Sequence, residues 1–374
     1  MSEHPGPFGR DASSVTARQF DFYLYENFDP DACANHPLNP RRVLTSALDG
    51  MLSMAAGGCS WRELCARCGG ALVKQAVDCG VLRRDGDAVR FDAPIFLRED
   101  AAVLSAAFTE EAERLADRLA FVWPELTRLA ESLRNGFCAA ENLYHIVCGM
   151  TLDGALFDGL SETGAVATSR MHPSGLDYLA VAYERCEELD GLSRGLLCSW
   201  NRAIGETCVL QSFGDADGDR FDAYRWYRLR EKGGLAGRFA AVQAPEKEHL
   251  TREARRLVET GSCEQSCLQA LEAFGYAKDG RVSVPVYRPS DAGMMDAVAA
   301  LIQECLLSEV TAILRQGVPD VTPGRHGVPA AETANELYHL LFGKLNEALT
   351  RRGMVAPPPV RPGEGRYAQS IMLT

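Results

Sequence analysis

The chain has 374 residues, 46% of them hydrophobic, and a formal net charge of −12. Its length exceeds what one hydrophobic core usually supports, and its apolar content is ample for burial, so a globular protein of two or more domains is expected. The acidic balance excludes a surface that binds nucleic acid everywhere and leaves only a local basic patch open to that role.

The opening MSEHPGPFGR lacks the basic and apolar regions of a signal peptide. Later apolar runs such as DAAVLSAAF and MMDAVAALIQECLL are short or interrupted by charge, so no membrane span is expected. Thirteen cysteines, an odd number without a repeated framework, read as reduced thiols of a cytoplasmic protein. Residues 1–44 form an N-terminal extension, and Pro40 to Met54 has helical periodicity. Ser60 with Glu63 forms a capping-box pattern that opens a helix through Cys68. A second helix, Ala71 to Cys79, stops at Gly80. VLRRDGDAVRFD then reads as strand, Asp-Gly turn and strand. A long amphipathic helix follows from Arg98 to about Arg134, with Leu104, Phe108, Leu115, Leu119 and Phe121 near helical spacing and Pro124 as a break. Residues 60–98 carry seven Lys or Arg and five Asp or Glu, which makes them the local basic patch.

Short helix, turn, second helix, Gly-apolar pair and basic hairpin together resemble the winged helix-turn-helix domain of bacterial transcription regulators, over about 45 residues. The resemblance implies that Ala71 to Cys79 sits where the recognition helix enters the major groove, offering Lys74 and Gln75, and that Arg83, Arg84 and Arg90 form a wing beside phosphates.

Further along, ENLYHIVCG at 141–149 returns as NELYHLLFG at 335–343, pairing Leu143/Leu337, Tyr144/Tyr338, His145/His339 and Gly149/Gly343. The match extends upstream, where the segment from Cys79 to Asp100 aligns with Phe274 to Asp291, and downstream, where Tyr178 pairs with Tyr367. The shared order and near-constant offset indicate an internal duplication, with halves near 45–190 and 250–374. In the second half the resemblance places the recognition helix at Cys263 to Phe274, which carries Glu264, Gln265 and Gln269 but no cation.

Between the halves, CVLQSFGDADGDRFDAYRWYRLR (208–230) reads as a hairpin around a Gly/Asp cluster. Tyr178, Trp200, Phe213, Tyr224 and Trp226 mix there with Arg202 and Arg220, the composition of a ligand or partner surface. Asp215, Asp217 and Asp219 imitate a calcium loop, but Arg220 and Trp226 stand where its Gly and Glu are required. Cys65 and Cys68 form one CxxC without a second ligand pair, and Cys263 and Cys267 occupy the matching region, so no metal is expected. His172, Ser174 and Asp177, with Cys198 and Ser199, are the best catalytic constellation; no Gly-x-Ser-x-Gly elbow, dinucleotide fingerprint or phosphate loop supports it.

The expected fold is α+β and mainly helical: an extension (1–44), a first winged helix and long helix (45–135), a β-containing central segment (136–245), a second winged helix and long helix (246–330), and a closing helix and strand (331–374). The expected function is a DNA-binding transcription regulator with a ligand- or partner-responsive centre, without enzymatic activity or cofactor, working as a pseudo-symmetric monomer or a homodimer. The alternative is an acidic scaffold whose winged helices bind protein and not DNA.

Overall fold

The structure, a computed structural model, describes residues 18–28, 33–193, 196–215, 245–360 and 366–374. The fold is α+β and mainly helical, and the chain divides into two compact units: residues 1–95 with 170–185, and residues 96–169 with 186–374.

In the N-terminal unit, β1 (Phe20–Glu26) leads to a helical region that is divided where a single helix is expected over 40–54. It consists of α1 (Pro40–Val43), a 3-10 turn (Ser46–Leu48) and α2 (Asp49–Ala56). The cause is Thr45, an extended residue whose hydroxyl accepts from the Ala47 N–H and so restarts the helix. α3 (Trp61–Cys68) begins with the expected capping box, the Glu63 N–H donating to Ser60 Oγ at 3.2 Å and the Ser60 N–H to the Glu63 carboxylate at 2.9 Å. Only Gly69, at φ 83°, separates α3 from α4 (Gly70–Asp78), a turn that a β-carbon would strain.

The hairpin of β2 (Leu82–Asp85) and β3 (Ala88–Phe91) turns through Gly86-Asp87, with Gly86 at φ 63°. The connection between α2 and α3 joins it as a third edge: the Val89 N–H donates to the Cys59 carbonyl at 3.1 Å, and the Trp61 N–H to Asp87 at 2.6 Å. Leu52, Leu64, Val73, Leu82 and Phe91 are all fully buried between these elements. A separate sheet has β6 (Asp177–Glu184) at its centre, antiparallel to β1 and flanked by the short β4 (Ile95–Phe96) and β5 (Arg170–Met171).

The C-terminal unit opens with α5 (Asp100–Ala130), which runs unbroken through Pro124. Proline leaves the Ala120 carbonyl without its helical donor, but both residues are exposed and water can supply one. α6 (Ala139–Leu143) passes into a π-helix (Tyr144–Ala155) and then α7 (Leu156–Glu162). After α8 (Glu187–Ser193), β7 (Leu197–Ile204) and β8 (Cys208–Asp215) form an antiparallel hairpin around Gly205. The hairpin expected over 208–230 is therefore displaced: its first strand pairs with the preceding segment, and 216–244 lie outside the described residues.

Next come α9 (Lys247–Thr260), α10 (Gln265–Phe274) and a minimal hairpin of β9 (Ala277–Lys278) and β10 (Arg281–Val282), turning through Asp279 at φ 50° and Gly280 at φ 77°. β11 (Val286–Tyr287), α11 (Ala292–Gly317), α12 (Thr322–His326), α13 (Ala330–Arg351) and β12 (Tyr367–Leu373) complete the unit. Its sheet has the order β11-β12-β8-β7. One face of it, with Ala203, Cys208, Leu210 and Ile371, shares a core with α9 and α10. By length and composition alone, 289–320 could cross a membrane. Val298, Ile302, Leu306 and Val310 recur there every four positions and are buried, while 33% of its most apolar stretch is buried in all.

Asp100 ties the start of α5 to α12. Its fully buried carboxylate accepts from the Leu97 N–H, from both the N–H and the hydroxyl of Thr322, and from Arg325 at 3.1 Å. Asp100→Ala leaves these donors unanswered and is expected to destabilise the C-terminal unit by about 3 kcal/mol in urea unfolding. Arg325→Ala, at a half-exposed position, should cost far less; equal effects would refute this assignment.

Candidate functional site

Two regions gather the residues singled out in the sequence. On the N-terminal unit, α4 and the β2–β3 hairpin present Lys74, Gln75, Arg83, Arg84 and Arg90. Lys74 is largely exposed but pairs with Asp78 one turn along, at 2.5 Å. Arg83 lies 3.6 Å from Asp92, and Arg90 lies 4.0 Å from Asp85. Arg84 donates to the Gly86 carbonyl at 2.8 Å and covers the Trp61 ring. Each of the four cations thus has a local acceptor. Exposed pairs of this kind contribute at most about 1 kcal/mol each, so a phosphate can compete for them.

The second region is an open groove of about 390 Å³ in the C-terminal unit. Its floor is the sheet face opposite α9 and α10, where Trp200, Arg202 and Ile204 alternate along β7 and Gln211 and Val209 of β8 lie beside Arg202 and Ile204. One wall is the π-helix, contributing Ile146, Met150 and Thr151; the other is the start of α11, contributing Ala292, Met295 and Asp296, with Arg288 just before it. Met372 of β12 closes the lining.

Local chemistry explains the walls. The Thr151 hydroxyl donates to the Ile146 carbonyl five residues back, at 2.7 Å, within the widened π-turn. A β-carbon on Gly149 would come within 3.3 Å of Phe213, and one on Gly154 within 2.8 Å of Trp200, so both glycines permit a close helix–sheet approach. The Trp200 N–H donates to Asp153 at 3.0 Å, and the Arg202 guanidinium stacks on the Trp200 ring at 4.2 Å. Among the described residues, neither Arg202 nor Arg288 forms an ion pair. π-Helices are rare and recur at functional sites.

The structure divides the expected ligand residues. Trp200 and Arg202 line the groove. Phe213 is buried against Tyr144, with ring centroids 5.3 Å apart. Tyr178 belongs to the N-terminal unit, where it is fully buried and its hydroxyl donates to the Cys79 carbonyl at 3.0 Å. Arg220, Tyr224 and Trp226, with Asp217 and Asp219, lie outside the described residues. Met150, Arg288, Met295, Asp296 and Met372 were not singled out in the sequence, because separate segments supply them and no linear pattern joins them.

Each member of the His172, Ser174 and Asp177 trio has a local partner. His172 stacks on Tyr178 with its Nε2 at 3.1 Å from that residue's carbonyl, Ser174 accepts from the Leu176 N–H, and Asp177 accepts from Asn27. Cys198 is in the other unit, its thiol held well above the ordinary range by burial. All thirteen cysteines are free thiols. Asp215 is engaged by Arg366, at 3.0 Å from Nε. His249, Glu264 and Cys267 place ligand atoms within 4.8 Å of one another. There His249 Nε2 meets Glu264 at 2.8 Å and Nδ1 accepts from Arg252.

Of the two repeated histidines, His145 is buried and His339 is partly exposed. His339 Nδ1 is 2.9 Å from the Asn335 carbonyl, which can only accept, so that nitrogen carries the proton and Nε2 faces Asp153 at 3.7 Å. Burial lowers the pKa of His145 from 6.5 to about 3. His145 is therefore neutral when folded and charges on unfolding below its ordinary pKa, so its contribution to stability is present above pH 6.5 and lost as the pH falls towards about 3. Across that window the loss is on the order of 1.4 kcal/mol per pH unit. His145→Leu should be less sensitive to acid than the parent protein in denaturant unfolding at pH 7 and pH 5; parallel losses would show a solvated imidazole.

Comparison with family models, curated proteins and solved structures finds no match to this chain.

Proposed function

We propose that this chain is a cytoplasmic, DNA-binding transcription regulator, built from two diverged copies of a winged-helix unit and responsive to a ligand held in its central region. The observation that carries the reading is the N-terminal arrangement of α2, α3, α4 and the β2–β3 hairpin, with the α2–α3 connection paired onto β3. That order and pairing support the winged-helix reading, in which α4 would serve as the recognition helix and Arg83, Arg84 and Arg90 would form the wing.

Two lines support the duplication. The order strand, two helices, hairpin, short strand, long helix, Tyr-His helix and strand describes both the run from β1 to β6 and the run from β8 to β12, once the added helices are set aside. The strand orders β1-β6-β4 and β8-β12-β11 also correspond. Repeated residues have comparable contacts: the Tyr144 and Tyr338 hydroxyls each donate to a backbone carbonyl, Gly149 abuts Phe213 of β8, and Gly343 abuts Leu196 and Cys198 at the start of β7. Two winged helices in one chain would read two unequal half-sites without a partner.

A second reading, docking to protein, is favoured by the local pairing of every cation on the α4 and hairpin face and by the absence of Lys or Arg from α10. Selection from a random duplex library at two salt concentrations separates the two. A DNA reader enriches a motif with steep salt dependence; a protein-docking module retains no duplex even at low salt. If the wing touches phosphate, replacing both Arg83 and Arg84 by Ala weakens binding to all sequences and flattens the salt slope by about 1 for each lost contact. Unchanged affinity would remove the wing from the interface.

A further inference from the structure

The geometry points to the groove between the π-helix, β7–β8 and α11 as a binding site for a small organic anion with a flat or flexible apolar body, its charge taken by Arg202 and Arg288. This rests on reading the central region as the ligand-responsive part of the protein, but not on DNA binding.

Three features of the groove converge on that ligand class. First, its volume of about 390 Å³ suits a small molecule and lies in the range of ligand pockets. Second, its apolar lining is rich in methionine: Met150, Met295 and Met372 present adaptable, polarisable surface that accepts ring or chain alike. Third, its charged lining residues are two arginines and one carboxylate, Asp296, a local excess of positive charge in a chain of net charge −12. That inversion favours an anion over the cations that the rest of the surface attracts.

The Arg202 guanidinium is also held in advance. Stacked on Trp200 and within electrostatic reach of Asp153, it pairs with no carboxylate among the described residues, which leaves its planar fork open to bidentate capture of a carboxylate or sulfonate. Trp200 is fixed in turn by Asp153 and by the closeness of Gly154.

The test titrates the full chain with anilinonaphthalene sulfonate and, separately, with uncharged phenylnaphthylamine, following probe fluorescence in the absence of DNA. The sulfonate is expected to bind about tenfold tighter than its neutral counterpart. Arg202→Gln and Arg288→Gln, both at exposed positions, should each cost about tenfold for the sulfonate and leave the neutral probe unchanged. Gly154→Ala, which pushes on Trp200 without removing a polar group, should weaken both probes. Equal affinity for the two probes, or sulfonate binding indifferent to both arginine substitutions, overturns the anion assignment; indifference of both probes to Gly154→Ala overturns the groove as the site. Because no DNA is present, a negative result here is separate from failure of the winged helix to bind a duplex.

Discussion

The C-terminal unit depends on how closely a helix lies on a sheet. The π-helix reaches β7 and β8 only because Gly149 and Gly154 have no side chains to meet Phe213 and Trp200. Tyr144 completes the contact, its buried ring against Phe213 and its hydroxyl directed at that residue's carbonyl. The same approach ends where the sheet's outer strand carries Trp200 and Arg202, and the space left between them and α11 is the groove. Core packing and site geometry are therefore one arrangement, and a change in helix-to-sheet distance is felt first at Trp200.

The widened helical turns belong to this arrangement. A π-helix costs hydrogen-bond geometry relative to an α-helix, and the cost is tolerated where it places side chains that a regular helix would turn elsewhere. Here it brings Ile146, Met150 and Thr151 to one wall while Asp153 meets the backbone of β7. The Asp153–His339 contact links the same stretch to α13, which carries the second copy of the repeated Tyr-His phrase.

Local features were legible in the sequence where chemistry between near neighbours decides them. The Ser60–Glu63 capping box, the glycine that ends α4 and the Asp-Gly hairpins each depend on residues a few positions apart. The long helix was legible from its periodicity, but its passage through Pro124 was not, because tolerance of a proline depends on solvent access to one carbonyl. Thr45 shows the reverse: a single hydroxyl reset a helix that periodicity alone carried through. The site was half legible. Trp200 and Arg202 stood out by composition, whereas Arg288, Asp296 and three methionines meet them only through pairings between distant strands and helices. Tyr178 and Phe213 had the same composition signal and went to the core, since an aromatic ring serves burial and binding equally well.

The N-terminal unit is discontinuous: β6, the strand at the centre of its sheet, is separated from β1 by more than a hundred residues, about half of which, 96–169, belong to the other unit. During synthesis the three helices and the hairpin can assemble from local contacts, but β1 must wait for its partner while α5, the π-helix and α7 emerge. For that interval the nascent chain carries an unpaired strand edge, the feature that chaperones and neighbouring chains recognise. The interlaced order also rules out a clean cut: no single break in the polypeptide releases the N-terminal unit with its central strand in place.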